Sequence, residues 1–189
     1  MRLRVAVLAC LLVACGRPSF QVIPAAQLPE DVYGRPSPGP IAPLPERGPV
    51  WFVRDGRLVS VQRRLPDAAS LPEALIRSLL AGPSGVTTTA IPEETRLVSV
   101  RLEGRVAIVN LSDAFERGAP GEELALRVAQ VVYTVTEAPQ VIGARFAIEG
   151  RPSAVIAGDQ RVVERAVTRA DYEGLTEGEP RAGPSPTPG

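Results

Sequence analysis

The side chains best suited to catalysis in this sequence are four carboxylates in two segments of the chain. Glu93 and Glu94 precede one predicted strand, and Asp113 and Glu116 follow the next, so the four acids can meet at one end of a sheet. Glycosidases use two carboxylates at a set separation, but the sequence does not determine that separation. We favour solvated loop charges as the interpretation. Neither segment has the acid-rich pattern of an EF-hand loop, so we predict no metal site.

The composition excludes most other catalytic chemistry. The 189 residues include no histidine, and all 21 basic side chains are arginine. Ser-His-Asp and Cys-His pairs, histidine metal sites, lysine Schiff bases and a P-loop lysine are therefore excluded. The arginines are balanced by 21 acids, and a net charge of zero argues against a nucleic-acid partner. Carboxylate, tyrosine or hydroxyl chemistry remains open to this composition. Since we interpret the four acids as loop charges, we predict that the protein is not an enzyme and needs no cofactor.

The N-terminal residues have the pattern of a bacterial export signal. Two arginines precede residues 5–14, an apolar run too short to span a membrane as a helix, which needs about 20 residues. The run ends Leu-Val-Ala-Cys, which resembles the lipobox of bacterial lipoproteins. We predict that residues 1–14 are a signal peptide and that acylation of Cys15, as with palmitate, anchors the chain to the extracytoplasmic face of the cell membrane. Cys10 is a weaker candidate, and an ordinary secretory signal is the alternative.

Proline content divides the rest of the chain into three segments. Residues 15–49 are rich in proline, which predicts an extended, disordered tether. The alternative is an arm that packs on the domain through residues such as Phe20 and Tyr33. Residues 176–189 are also rich in proline and glycine and are predicted to be a disordered tail. The folded unit is then residues 50–175, the size of one small domain.

Within residues 50–175, apolar residues follow the period of a strand and that of a helix in turn. Three hairpins are predicted, with turns at Asp55-Gly56, Glu103-Gly104 and Glu149-Gly150, and a fourth, shorter one around Gly158-Asp159. One helix separates the first two, and a second helix, at residues 122–137, precedes the third. This order predicts an α+β fold in which two helices pack on one face of a mainly antiparallel sheet. Residues 105–111 are apolar on both faces, which predicts a central strand.

The first helix has start and stop signals of its own. Ser70 and Glu73 have the spacing of a capping box, and Pro72 lies in the first turn, where its missing N–H costs little. Leucine and isoleucine recur at helical spacing as far as Gly82-Pro83, which ends the helix.

Several single residues have both a binding and a structural interpretation. Trp51 is a candidate anchor for a partner, and Tyr133 is a candidate for stacking on a ligand, but we favour core packing for both. Arg63 and Arg64 are candidates for contact with anionic wall polymer or lipid headgroups, against the favoured alternative of a solvated strand end. Ser112 is interpreted as a turn residue whose side chain bonds to the backbone.

Six pieces of the sequence match one known domain family in order and spacing. They are the first hairpin with Trp51, the helix end Leu-Leu-Ala-Gly-Pro, an Ala-Ile-Pro stretch before the third strand, Val-Asn-Leu-Ser with Phe115, the helix Val-Val-Tyr-Thr-Val, and the closing hairpin around Glu149. Together they cover about residues 50–153 and resemble the GerMN domain of sporulation and spore germination lipoproteins. Asn110 stands where that family commonly has aspartate.

The resemblance implies an extracytoplasmic, non-catalytic domain whose fold is similar to ring-building-motif domains, which assemble secretion-type complexes. We therefore expect the chain to bind envelope proteins, and a sheet edge is one place where another subunit can pair. A role in sporulation or germination does not follow from the domain alone. Binding to peptidoglycan is one alternative, and a carboxylate glycosidase acting on the wall is the less favoured one.

Overall fold

The computed structural model describes residues 43–118 and 121–176. The predicted signal peptide, Cys15, the tether as far as residue 42 and the tail from residue 177 lie outside the described residues. The strands are β1 Arg47–Arg54, β2 Arg57–Arg64, β3 Leu97–Glu103, β4 Val106–Leu111, β5 Gly143–Ile148, β6 Arg151–Ser153, β7 Val155–Ile156 and β8 Val162–Val163. The helices are α1 Leu71–Leu80 and α2 Gly121–Val135, with two 3-10 segments at Asp113–Phe115 and Arg169–Leu175. Neither α-helix is long and apolar enough to cross a membrane.

The predicted α+β fold with mainly antiparallel strand pairs is confirmed, but the strands form three sheets. β1 pairs with β2, β7 pairs with β8, and the largest sheet has the order β3-β4-β5-β6. β4 is central in that sheet, as its apolar sequence predicted. The pair β4–β5 is parallel, which the hairpin pattern did not predict. Parallel neighbours need a long crossover connection, and α2 lies in the segment that joins these two strands.

The backbone angles of the turn residues explain why the hairpins could be predicted from the sequence. Asp55 and Gly56 have φ angles of 49° and 75°, and Glu149 and Gly150 have 49° and 80°. Positive φ at both central residues is the property of a type I′ turn, which matches the twist of the strands on either side. The middle hairpin turns at residues 104–105, one residue later than predicted.

Helix α1 begins at the predicted cap but lacks half of the capping box. The Ser70 side chain accepts a hydrogen bond from the Glu73 N–H at 3.4 Å. The Glu73 carboxylate does not return the contact to the cap, since it pairs with the Arg77 guanidinium one turn later at 2.7 Å. An i,i+4 pair of opposite charge supports the helix by itself, so the carboxylate stabilises the helix through a different partner.

Helix α2 is the centre of the hydrophobic core. It packs against α1, β1, β5, β7 and the C-terminal 3-10 segment. Val128, Val131 and Val132 on this helix have no exposed surface. Tyr172 closes the core at the other end of the chain: it is 1% exposed, and its hydroxyl donates to the Ile156 carbonyl oxygen at 3.0 Å. Burial raises the pKa of the Tyr172 phenol, which keeps this donor protonated.

Two buried polar side chains of α2 form hydrogen bonds with the edge of β1 that faces away from β2. The Thr134 Oγ1 accepts a hydrogen bond from the Trp51 N–H at 3.0 Å, and the Gln130 Nε2 donates to the Trp51 carbonyl oxygen at 3.1 Å. The Gln130 Oε1 also accepts from the Ala90 N–H at 2.8 Å. Gln130 and Thr134 are both 0% exposed. These two side chains therefore replace a neighbouring strand at the centre of β1.

The rest of the β1 edge is closed by a loop and by proline. The hairpin turn has two residues, so Arg54 and every second residue before it direct their backbone N–H and C=O groups to β2. The backbone groups of Val53, Trp51 and Pro49 therefore point away from β2. Val53 exchanges both backbone hydrogen bonds with Thr88, each at 2.8 Å. Pro49 has no N–H to leave unpaired there. This outward position lets β1 begin at Arg47, three residues before the strand start that the proline-rich sequence predicted.

Replacing Gln130 with methionine tests how much this contact contributes to stability. Methionine keeps the volume but leaves the partly buried Trp51 carbonyl and Ala90 N–H without a partner, so we expect the free energy of unfolding to fall by about 3 kcal/mol. Urea denaturation measures the change. The same substitution at Gln140, which is exposed, is the matched control and should change stability by less than about 0.5 kcal/mol. Equal effects at the two sites would contradict the role assigned to Gln130.

Candidate interaction surface

The four carboxylates singled out from the sequence are all exposed in the structure. Asp113 accepts from Arg117 through both carboxylate oxygens at 2.8 Å, and Glu94 lies near enough to Arg117 to raise the pKa of its guanidinium further. Glu116 accepts from the Ser153 hydroxyl at 2.5 Å. The structure thus brings three of the predicted acids to the end of β4 as ion pairs and surface hydrogen bonds. Glu93 lies apart, beside the end of α1.

The electrostatics of Asp113 are those of a solvated ion pair. The hydrogen bond from Arg117 lowers the pKa of the Asp113 carboxyl, whereas a general acid working near neutral pH needs a raised pKa. Within residues 43–118 and 121–176, no three histidine, cysteine, aspartate or glutamate side chains are placed to hold a metal ion. The favoured interpretation as loop charges agrees with this geometry.

The two aromatic candidates form one packed cluster with an arginine. The rings of Trp51 and Tyr133 have centroids 4.9 Å apart, and the Arg169 guanidinium lies 5.5 Å and 5.0 Å from those centroids. Glu137 accepts from the Trp51 indole at 2.8 Å and from Arg169 at 2.6 Å. Tyr133 is 5% exposed. The cluster joins β1, α2 and the C-terminal 3-10 segment, so both aromatic residues pack within the protein, with Trp51 at its rim.

Two of the remaining candidates bond to backbone groups of neighbouring segments. Arg63 is half-buried: its guanidinium donates to the Gly82 carbonyl oxygen at 3.0 Å and lies over the Phe52 ring. The prediction of a solvated strand end is therefore wrong for Arg63, because the end of α1 offers it a carbonyl; Arg64 is exposed as predicted. The Ser112 hydroxyl does bond to the backbone, but it accepts from the Arg96 N–H at 3.0 Å, across the sheet.

A buried arginine that the sequence analysis missed holds the loop after β4. Arg127 on α2 is 3% exposed and donates to the Phe115 and Arg117 carbonyl oxygens at 2.8 Å and 2.9 Å. Its charge is balanced by Glu123 at 2.7 Å. Only the i,i+4 spacing of Glu123 and Arg127 was visible in the sequence, and that spacing is equally typical of a solvated helix face.

The outer edge of β3 is open in the described part of the chain. The turn at residues 104–105 sets Ser99, Arg101 and Glu103 to bond with β4, so the N–H and C=O groups of Val100 and Leu102 point away from the sheet. No hydrogen bond among the described residues involves these outward groups. Leu102 is 42% exposed and Val98 is 52% exposed. This edge therefore combines free backbone groups with exposed apolar side chains, the two properties of a strand-pairing site.

The outer edges of β2 and β6 differ from β3 in ways that discourage pairing, and β8 offers only two residues to a new strand. The outward residue of β6 is Pro152, which lacks the N–H that a new strand would need. β2 is bridged at Leu58 by Thr176, and the outward residues beyond it, Ser60 and Gln62, are polar and exposed. We therefore take the outer edge of β3, with Val98, Val100 and Leu102, as the candidate interaction surface, and call it the β3 edge.

A second feature suited to binding is a small cavity at the C-terminal end of α1. It has a volume of about 240 Å³, enough for one apolar side chain but small for a drug-sized ligand. Its lining is mainly apolar and includes Leu79, Leu80, Ile91 and Pro92, with Glu93 at the side. The cavity accounts for the position of Glu93, which belongs to this wall and not to the acids at the end of β4.

Comparisons with known proteins agree on one domain type. A family model described as Germane, sporulation and spore germination, matches residues 46–154. The structure is similar to the tandem GerMN domains of the sporulation protein GerM from Bacillus subtilis, with a TM-score of 0.54 and 17% sequence identity over 66% of this chain and 46% of that one. This chain therefore spans about half of the tandem-domain structure. At that identity the likeness concerns the fold.

Two further structures are similar at a lower level. The first GerMN domain of GerM alone has a TM-score of 0.48 and 16% identity, over 65% of this chain and 94% of that one. A Clostridium perfringens protein that has been assigned as a lipoprotein has a TM-score of 0.48 and 20% identity, over 69% of this chain and 91% of that one. No curated protein matches the chain significantly.

Amide hydrogen exchange tests whether the β3 edge is open. The N–H groups of Arg101 and Glu103 bond to β4, so in dilute solution we expect them to exchange more slowly than those of Val100 and Leu102, by at least about tenfold. Residue-resolved exchange by NMR measures this alternation. The same odd–even comparison along β1 is the control, because there both edges are bonded and Trp51 and Val53 should also be protected. Equal protection of Arg101 and Leu102 would show that the β3 edge is covered.

Proposed function

Because the chain belongs to the Germane family of sporulation and spore germination domains, we propose that it is a non-catalytic lipoprotein whose domain binds and assembles other proteins of the cell envelope. The observation that carries this proposal is the β3 edge, where free backbone groups meet exposed apolar side chains. A protein strand is the ligand that satisfies both at once. The similarity to domains of a sporulation protein supports a sporulation-related protein complex as one place where the domain acts.

The absence of a role in catalysis is part of the same proposal. It is supported by a composition without histidine or lysine and by the lowered pKa of the Asp113 carboxyl. The polar groups of the Trp51–Arg169 cluster are used in joining three elements of the fold. We therefore assign the function to a surface of the domain. The β3 edge is better suited to binding a protein than the acidic loops are to binding a substrate.

The proposed position of the protein is the extracytoplasmic face of the membrane. Support comes from the export pattern, the Leu-Val-Ala-Cys run ending at Cys15 and the proline-rich residues that follow. An acylated Cys15 would anchor the chain, and residues 15–46 would let the domain reach a partner at some distance from the bilayer.

Crosslinking in living cells tests the assembly role. The full chain, tagged after Gly189, is crosslinked, and captured proteins are identified by mass spectrometry. We expect one or two defined envelope proteins, lost when residues 50–175 are deleted but the anchor is kept. Capture that survives the deletion, or no capture, would overturn the proposal.

Hydrolysis or binding of peptidoglycan is the alternative function that the three acids at the end of β4 suggest. A zymogram of the full chain on peptidoglycan should show no cleared band. A band abolished by Glu94→Gln or Asp113→Asn would replace the proposal with a glycosidase. Retention of the inactive chain on insoluble wall at high salt would replace it with glycan binding, since salt screens contacts that depend only on arginine charge.

Replacing Cys15 with serine tests the anchor. Serine cannot be acylated through sulfur, so we expect the variant to move from the membrane fraction to the soluble fraction, as measured by fractionation and immunoblotting. Cys10→Ser is the matched control and should leave the protein in the membrane. Membrane retention of the Cys15→Ser chain would contradict the lipoprotein assignment.

A further inference from the structure

We propose that the β3 edge pairs with the β3 edge of a second copy of this chain. The inference rests on the assembly role proposed above and specifies one partner for it. In this arrangement two β3 strands run antiparallel about a two-fold axis, and the four-stranded sheets of the two copies become one sheet of eight strands. A two-fold contact needs a surface that is complementary to itself, and the charges on β3 have that property.

The complementarity follows from the register of the outward residues. Arg101 and Glu103 lie on one face of β3 and form an ion pair with each other. If the two-fold axis passes between the two Leu102 residues, Leu102 lies opposite Leu102 of the second copy, and Arg101 lies opposite Glu103 of the second copy in both directions. Leu102 can then exchange both backbone hydrogen bonds across the contact. The pairing covers an apolar side chain that is 42% exposed in the single chain.

The neighbouring registers fit less well. An axis through Arg101 places the two arginines directly opposite each other, which is unfavourable for like charges. An axis through Val100 places Arg101 opposite Ser99, with no charge to balance it, and places Leu102 opposite Val98. The ladder shifts by one residue between Leu97 and Ser99, and this irregularity disturbs regular pairing at Val98.

The same charges explain why a second copy is a better partner than an unrelated strand. Charged side chains on an edge strand discourage pairing with strands in general. Arg101 and Glu103 place one charge of each sign two residues apart. A partner strand is favoured if it has an acid opposite Arg101 and a base opposite Glu103, and a strand without these charges is disfavoured. A second copy in the Leu102-centred register has that reverse pattern.

Cysteine crosslinking in intact cells tests the pairing in the full chain. Leu102→Cys places two thiols opposite each other at the axis, so a short bis-maleimide should give a product of twice the mass that contains only this chain. Ser99→Cys is the control in the same strand. Its two thiols would lie six residues apart along the paired strands, about 20 Å at 3.4 Å per residue, so it should not crosslink. The unmodified chain controls for Cys10 and Cys15.

Three outcomes at Leu102→Cys separate this inference from the assembly role. A self-product at Leu102 but not at Ser99 supports the pairing. A product that joins Leu102→Cys to a different protein overturns the self-pairing while agreeing with the assembly role. No product at Leu102 also overturns the self-pairing, and the capture experiment with the unmodified chain then decides the assembly role alone.

A charge exchange tests the register. In the Leu102→Cys chain, Arg101→Glu puts like charges opposite each other twice, and we expect about tenfold less self-product. Adding Glu103→Arg restores opposite charges in both directions and should restore the product. Arg145→Glu, on an exposed side chain of the inner strand β5, controls for net charge and should have little effect. Equal yields from the single and the double variant would overturn the Leu102-centred register.

Discussion

The fold depends on the way in which α2 satisfies the edge of β1. Gln130 and Thr134 reach the two backbone groups of Trp51 from a fully buried helix face, and Gln130 also fixes the loop at Ala90. A buried backbone group without a partner is costly, so the β1–β2 hairpin can pack on α2 only where these side chains meet it. The position of the hairpin sets that of α1, which packs against both.

The strand edges in the described part of the domain differ in whether their outward backbone groups have partners. The edges with partners stabilise the fold, and the β3 edge is the one that we assign to binding. β1 is closed by α2 and Thr88, β6 by Pro152 and β2 in part by Thr176. The β3 edge keeps its outward groups free and carries exposed leucine and valine. A sheet that has to remain separate gains nothing from such an edge. This open edge is the feature that connects the fold with the proposed role in binding other proteins.

Local signals in the sequence predicted most elements, and the long-range contacts were beyond them. Asp55-Gly56 and Glu149-Gly150 located two hairpins because type I′ turns depend on the turn residues themselves. The parallel β4–β5 pair left no such signal, since strands joined by a crossover do not share a turn. Gln130 could not be identified as a ligand of β1, because its partner Trp51 is 79 residues away. The exposure of the β3 edge likewise depends on which elements fail to cover it.

The distance in sequence between β1 and α2 also constrains the order of folding. A chain synthesised from its N-terminus presents the β1–β2 hairpin first, with the backbone groups of Trp51 still unpaired. The side chains that bond to them, Thr134 and Gln130, lie about 80 residues later in the chain, and contacts at such separation form slowly. The β1 edge at Trp51 therefore stays open to wrong pairing until α2 has been synthesised.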